Sequence, residues 1–158
     1  DRSFPLAFAK SQLGAGTRIP LAGTVFFSVK NSDREYVQEI AVGLNELGFN
    51  LVATRGTGEA IRRSQVPVTI IKKVSEGRPN ILDYIIDRRV HLIINTPSGK
   101  APRQDEVSIR TTAVARNIPL ITTIEAAEAF VEAIRELRAT RVVTARSLQE
   151  YHRAIAAR

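Results

Sequence analysis

The sequence predicts an α/β protein with a three-layer α/β/α architecture built on a five-stranded parallel sheet. Three observations carry this expectation. Short apolar, β-rich runs recur near residues 24, 49, 68, 90 and 119, each about the length of a buried strand. Stretches with apolar residues at helical spacing separate them, and strands that alternate with helices pair in parallel beneath helices on both faces. Small polar or charged residues follow the runs, namely Ser28, Thr54, Lys73, Asn95 and Thr122. Ligands of such sheets bind outside the carboxyl ends of the strands.

Taken in order, Ser3 caps a first helix, Pro5 sits in its first turn, and Gly14 and Gly16 stop it. Phe4, Phe8 and Leu13 form an apolar stripe on this helix that needs a cover. Two origins are open: an arm folded back on its own domain, or the last helix of a preceding domain, which we favour for residues 1–16. Residues 17–23, with Pro20, read as a linker, and 24–158 as the domain itself. After a first strand over 24–29, Ser32 with Glu35 matches a capping box. Val37, Ile40, Ala41, Leu44 and Leu47 then space a helix that Gly48 closes. The second strand, 49–53, turns through Thr54-Arg55-Gly56-Thr57-Gly58 into a helical pattern that starts near Glu59. A third strand over 68–71 precedes a helix over 79–89 with Ile81, Leu82, Ile85 and Ile86 inward. The fourth strand covers 90–94, a helix 106–116, and the fifth strand 119–121. Ala127, Phe130, Val131 and Ile134 pattern a helix over 124–137, followed by the apolar pair Val142-Val143 and a last helix over 147–157.

Composition narrows the function classes. A chain of 158 residues, 44% of them apolar, suffices for one domain with a real core. No apolar run nears the roughly 18 residues of a membrane span, and nothing resembles a secretion signal. The absence of cysteine removes disulfides, thiolate metal sites and cysteine nucleophiles. With only His91 and His152, metal binding is not expected and histidine-base chemistry is poorly supplied. The net charge of +7 suggests an anionic partner, yet Lys and Arg interleave with Asp and Glu, and aromatics make up only 6%. Nucleic acid is therefore not expected, whereas a small anionic ligand suits the charge. Methionine is absent, initiator included, which suggests a piece of a longer polypeptide.

The turn after the second run is the strongest local signal. A strand feeding a helix through Gly and Thr offers free backbone N–H groups and hydroxyls at the positive end of a helix dipole, as a phosphate requires. Alone, Gly56-Thr57-Gly58 is equally compatible with a turn that only reverses the chain. Adjacent strand ends add Ser28 and Lys30, then Lys73, then Asn95, Thr96 and Ser98, and finally Thr122 and Thr123. Each has a bland explanation as a cap, a turn or a solvated side chain. Gathered at one mouth, neutral donors with cations predict a site for phosphate or a similar anion.

The strings Thr24-Val25-Phe26-Phe27-Ser28-Val29-Lys30, Ala53-Thr54-Arg55-Gly56-Thr57, Glu76-Gly77-Arg78-Pro79 and Ile94-Asn95-Thr96 support a specific resemblance. The chain resembles the methylglyoxal-synthase-like, Rossmann-type domain that ends the large chain of carbamoyl-phosphate synthase. Residues 1–16 resemble the end of the synthetase domain before it. The resemblance implies a cytoplasmic allosteric module of pyrimidine and arginine biosynthesis, in which nucleotides such as UMP or IMP bind by their phosphate. On matching positions it implies phosphate contacts from Thr54, Gly56, Thr57 and Lys73. Ser28, Arg34, Asn95, Thr96 and Ser98 would lie beside the nucleotide, and Thr122 matches a position linked to ornithine. It implies no catalytic residue, metal or cofactor here; ATP, Mg or Mn, and K would belong to the parent enzyme. The partners implied are the rest of the large chain and its glutaminase small chain, with neither nucleic acid nor membrane. Arg34 replaces a lysine found in some members, exchanging a point charge for a planar fork. Pro97 replaces a threonine, losing a hydroxyl and a backbone donor.

The rival from another class is methylglyoxal synthase proper, a lyase acting on dihydroxyacetone phosphate that needs a carboxylate base. The resemblance places that base in a Ser-Gly-Pro-x-Gly-Gly-Asp type loop after the third strand. Here the loop reads Val74-Ser75-Glu76-Gly77-Arg78-Pro79-Asn80, with Glu76 as the one substitute. Lys30 and Asn31 stand where the enzyme carries a histidine, and neither His91 nor His152 is well placed. A purine-pathway cyclohydrolase of related fold fits less well again. The expected site senses its ligand and does not transform it.

Overall fold

The computed structural model describes residues 1, 3–97, 99, 104–140 and 144–156, the last three as backbone only. One parallel sheet runs in the order β3-β2-β1-β4-β5. Its strands are β1 Thr24–Ser28, β2 Asn50–Thr54, β3 Thr69–Ile71, β4 Leu92–Asn95 and β5 Leu120–Ile121. The helices are α1 Phe4–Gly14, α2 Val37–Glu46, α3 Arg55–Arg62, α4 Ile81–Ile86, α5 Gln104–Ala115, α6 Ile124–Ala139 and α7 Leu148–Ala156. No helix among the described residues is long and apolar enough to cross a membrane.

Both faces of the sheet are covered, so the central strands are apolar without alternation. Val25, Phe27, Leu51, Ala53 and Ile94 point to one face and meet Ile40 and Leu44 of α2, Ile61 of α3 and Phe130 and Ile134 of α6. Phe26, Val52, Ile71 and Ile93 point to the other and meet Ile81 and Ile85 of α4 and Ile109 and Ala113 of α5. The chain winds outward from β1 through β2 to β3, then crosses back to β4 and β5 on the far side. The strand order therefore reverses between β1 and β4, where Ser28 stands beside Asn95. Such a switch point opens a crevice at the carboxyl ends.

Helix ends follow local chemistry. Gly48 adopts a left-handed conformation (φ 73°) after α2, and the Phe49 N–H reaches back to the Leu44 carbonyl at 3.0 Å. Asn80 caps α4, its side chain accepting from the Leu82 N–H at 2.9 Å while Asp83 accepts from the Asn80 N–H at 2.9 Å. Helix α4 thus starts after Asn80, two residues later than the spacing predicts. The capping box read in Ser32 and Glu35 does not form. Residues Asn31–Asp33 wind into a 3₁₀ turn instead, and the Ser32 hydroxyl donates to Asp33 at 3.0 Å. The glycine turn expected after β2 is also absent. Helix α3 starts at Arg55, directly from the strand, with Gly56 and Gly58 inside it. Gly58 packs on β3, where an added Cβ would lie 3.0 Å from Ile70 Cγ1.

Helix α1 lies against α6. Phe8 meets Phe130 edge to face, with ring centroids 6.1 Å apart, while Phe4 stays 69% exposed and Leu13 42%. The expected apolar stripe is thus only partly covered. Val142-Val143 lies outside the described residues.

Arg78 and then the Asn80 N–H, donating to the Asp83 carboxylate, hold its pKa below the ordinary carboxylate range. A depressed folded-state pKa contributes stability that is present above the unfolded value, about 3.9, and lost as pH falls through the folded one. Urea midpoints should accordingly decline below about pH 4, and Asp83→Asn should flatten that decline while lowering stability at neutral pH.

Candidate functional site

At the carboxyl ends of β1, β2 and β4 lies a cavity of about 520 Å³. Its floor is apolar, formed by Phe26, Ile81 and Ile109, and its walls are polar. Ser28, Lys30, Arg34, Thr54, Gly56, Lys73, Asn95 and Thr96 all line it. The topology thus brings together eight residues from four separate segments, and the volume falls within the usual range for small-molecule sites.

The start of α3 presents its positive end at this cavity through Thr54 and Gly56. Thr54 occupies its N-cap but gives no side-chain cap, and no acidic residue stands in the first turn. The Thr54 hydroxyl turns instead toward Ser28 Oγ at 3.4 Å and Thr57 Oγ1 at 3.5 Å. The first backbone N–H groups of the helix therefore keep their positive end open. The Arg34 guanidinium packs over Gly56 in this turn, where a Cβ would come within 2.7 Å of Cζ. A side chain at 56 would displace the guanidinium from this seat. Among the described residues, Arg34 Nε is the one buried side-chain polar atom without a hydrogen-bond partner. A cation held at the positive end of a helix is unfavourable by itself and becomes favourable once an anion lies between them.

The other expected residues divide by role. Thr57 is 1% exposed and does not line the cavity; its hydroxyl accepts the Val29 N–H at 3.1 Å, fastening the end of β1 to α3. Thr96, also buried, accepts the Lys30 N–H at 3.0 Å, so it both lines the cavity and fixes the loop after β1. Lys73 reaches the cavity from a turn held twice: Glu76 accepts its N–H at 2.9 Å, and Asp105 accepts from the Ser75 N–H and hydroxyl at 3.0 and 2.8 Å. Glu76, the substitute base, is spent on that turn and does not line the cavity. Ser98 lies outside the described residues. Thr122 lines a neighbouring cavity of about 560 Å³, with Asp33, Tyr36, Glu125 and Glu128, and Lys30 borders both. Lys30 Nζ stands 3.5 Å from Asp33. Among the described residues no group of three His, Asp or Glu side chains could hold a metal ion.

Sequence reading missed the wall formed by Asp105 and Glu106. The available signal was topological: the helix after β4 must begin at the same strand ends as Asn95.

The family model described as MGS-like domain matches residues 36–122, more than half of the chain. The chain belongs to the MGS-like domain family. This MGS-like domain is 47% identical over 137 residues to the carbamoyl phosphate synthase large chain of Rhodopirellula baltica, covering 87% of this chain and 13% of that one. It is 46% identical over 154 residues to the C-terminal section of the same enzyme's large chain in Methanopyrus kandleri, covering 97% and 28%. The domain thus spans under a third of the length of these curated relatives. Methylglyoxal synthase from Elizabethkingia anophelis NUHP1 shares the fold, with a TM-score of 0.58 at 21% identity, covering 73% of this chain and 80% of that one.

Two substitutions separate framework from ligand contact. Thr57→Val leaves the buried Val29 N–H without its acceptor and should cost about 1–3 kcal/mol in urea unfolding. Gly56→Ala obstructs only the end of a flexible arginine, so stability should change by less than about 1 kcal/mol. The same substitution should weaken phosphate binding, read by calorimetry, because Arg34 loses its seat.

Proposed function

We propose that this MGS-like domain is the allosteric module of a carbamoyl-phosphate synthase large chain, sensing nucleotides such as UMP or IMP through their phosphate. The observation that carries this reading is the uncapped start of α3 with the Arg34 guanidinium laid over Gly56. The phosphate would take the first N–H groups of α3, with Ser28 as a hydroxyl donor, Thr54 as a second once its proton turns from Ser28, and Arg34 and Lys73 as cations. The apolar floor of Phe26, Ile81 and Ile109 suits a nucleobase better than bare phosphate. Asn95 and Thr96 stand beside it, and Thr57 contributes its backbone N–H and the framework. The identity to large-chain relatives supports the assignment of the parent. Residues 1–16 would then continue a preceding synthetase domain, with the glutaminase small chain a more distant partner.

Regulation follows from linkage: a nucleotide that prefers one placement of the domain against the synthetase core shifts the enzyme toward that state by its differential affinity. The second cavity, with three carboxylates around Thr122, suits a cationic amino acid such as ornithine. Lys30 borders both cavities and is the simplest physical link between them.

The lyase reading draws on one observation, the Asp105 and Glu106 carboxylates on the cavity wall. Asp105 is engaged twice by Ser75, which favours a role in shaping the Lys73 turn over one as a proton acceptor.

Calorimetric titration with UMP, IMP and dihydroxyacetone phosphate separates the readings. A nucleotide should bind, and Lys73→Ala or Arg34→Gln should each remove a charge-assisted contact of about 1.5–3 kcal/mol, roughly ten- to a hundredfold in Kd. Turnover of the triose phosphate would overturn the regulatory reading, and unchanged affinity in Lys73→Ala would remove that lysine from the site.

A further inference from the structure

We propose a second anion site, formed by Arg18, Arg88 and Arg116 at the amino ends of the strands, for a small ligand carrying several negative charges. A cavity of about 460 Å³ lies among these arginines, His91 and Asn117. They come from the linker before β1 and from the segments that follow α4 and α5. None of them lines the α3 cavity, so this site stands or falls separately from the proposed function.

No carboxylate lines the cavity, and among the described residues none of the three guanidiniums joins an ion pair. Some arginines of this chain find partners: Arg78 on Asp83, Arg135 on Glu46 and Glu132, and Arg89 over the Tyr84 ring. Among the described residues Arg34 and Arg55 also join no ion pair, so what sets these three apart is their convergence on one cavity that no carboxylate lines. The last turns of α4 and α5 carry partial negative charge, which accounts for one cation at each. Arg18 belongs to the linker and is not explained that way. Arg88 also keeps a left-handed backbone (φ 56°), which glycine or asparagine adopts with less strain.

Neutral donors stand beside the cations. His91 Nδ1 accepts the Thr24 N–H at 3.1 Å, which assigns the proton of the neutral ring to Nε2. Gly23, at φ 121°, packs against that ring, and a Cβ there would collide with it. The imidazole is therefore held in place. Asn117, also left-handed at φ 54°, adds a side-chain amide. Like charges around a concavity focus a positive potential, and planar guanidinium forks match oxyanions with several oxygens. Oligophosphates and polycarboxylates share that chemistry.

The test is an amide NMR titration of the intact chain at low ionic strength, with tripolyphosphate and citrate as probes and inorganic phosphate as reference. At least one of the two multivalent probes should shift the Gly23, His91 and Asn117 amides, and bind there more tightly than inorganic phosphate. Whichever binds reports which source of oxyanion the site accepts. The pair Arg88→Gln and Arg116→Gln should weaken the binding roughly tenfold per arginine, leaving any response at Gly56 unchanged. A charge-matched control, Arg110→Gln with Arg153→Gln, should leave it intact. Silent Gly23, His91 and Asn117 amides with both probes, or equal weakening in the control, would overturn the site. Binding there by an oligoglutamate peptide alone would also overturn it, in favour of a docking surface for acidic protein.

Discussion

An uncapped helix start with a cation across it sets the terms for this domain. Helices ordinarily close their first turn with a side chain from the N-cap and favour acidic residues beside it. Here Thr54 turns its hydroxyl away to Ser28 and Thr57, and Arg34 lies over Gly56. The positive end of α3 is left open and its charge is reinforced. A cation at the positive end of a helix is unfavourable by itself, and an anion placed between the two would offset that cost.

The framework around this point keeps the cost local. Thr57 ties α3 to the Val29 N–H, and Thr96 ties the end of β4 to the Lys30 N–H. The loop that delivers Arg34 is thus fastened at both neighbours of β1. Across the crevice, Asp105 holds Ser75 and so holds the turn bearing Lys73. The segments that carry the cations are therefore positioned by two buried threonine hydroxyls on one side and by the Asp105 and Glu76 carboxylates on the other. Behind them, Phe26 and Phe27 are fully buried and pack in different core clusters on opposite faces, so a one-residue slip would exchange them between two differently shaped packings.

Much of this was legible in the residues. The order of strands and helices followed from apolar runs of two periodicities, and five parallel strands placed Ser28, Thr54, Lys73, Asn95 and Thr96 near one another. Local chemistry was harder to read. Gly56 looked like a turn former because glycine is common in turns, yet it serves close packing by Arg34 inside a helix. Ser32 and Glu35 match a cap in spacing, but the chain spends that stretch on a 3₁₀ turn. Thr57 has the right residue type for a phosphate contact, and its burial against Val29, a long-range property, makes its hydroxyl structural. The Asp105 wall depended on the crossover from β4, which spacing within one helix does not show.

The family and the fold are settled by residues 36–122 and by the sheet itself, so the open question is what the crevice recognises. The most direct measurement follows the Gly56 and Thr57 amide signals while UMP and then uridine are added to separate samples. The account predicts large shifts with UMP and little change with uridine, because the phosphate seats on the start of α3. Equal shifts with uridine, or shifts with UMP that spare both amides, would contradict it.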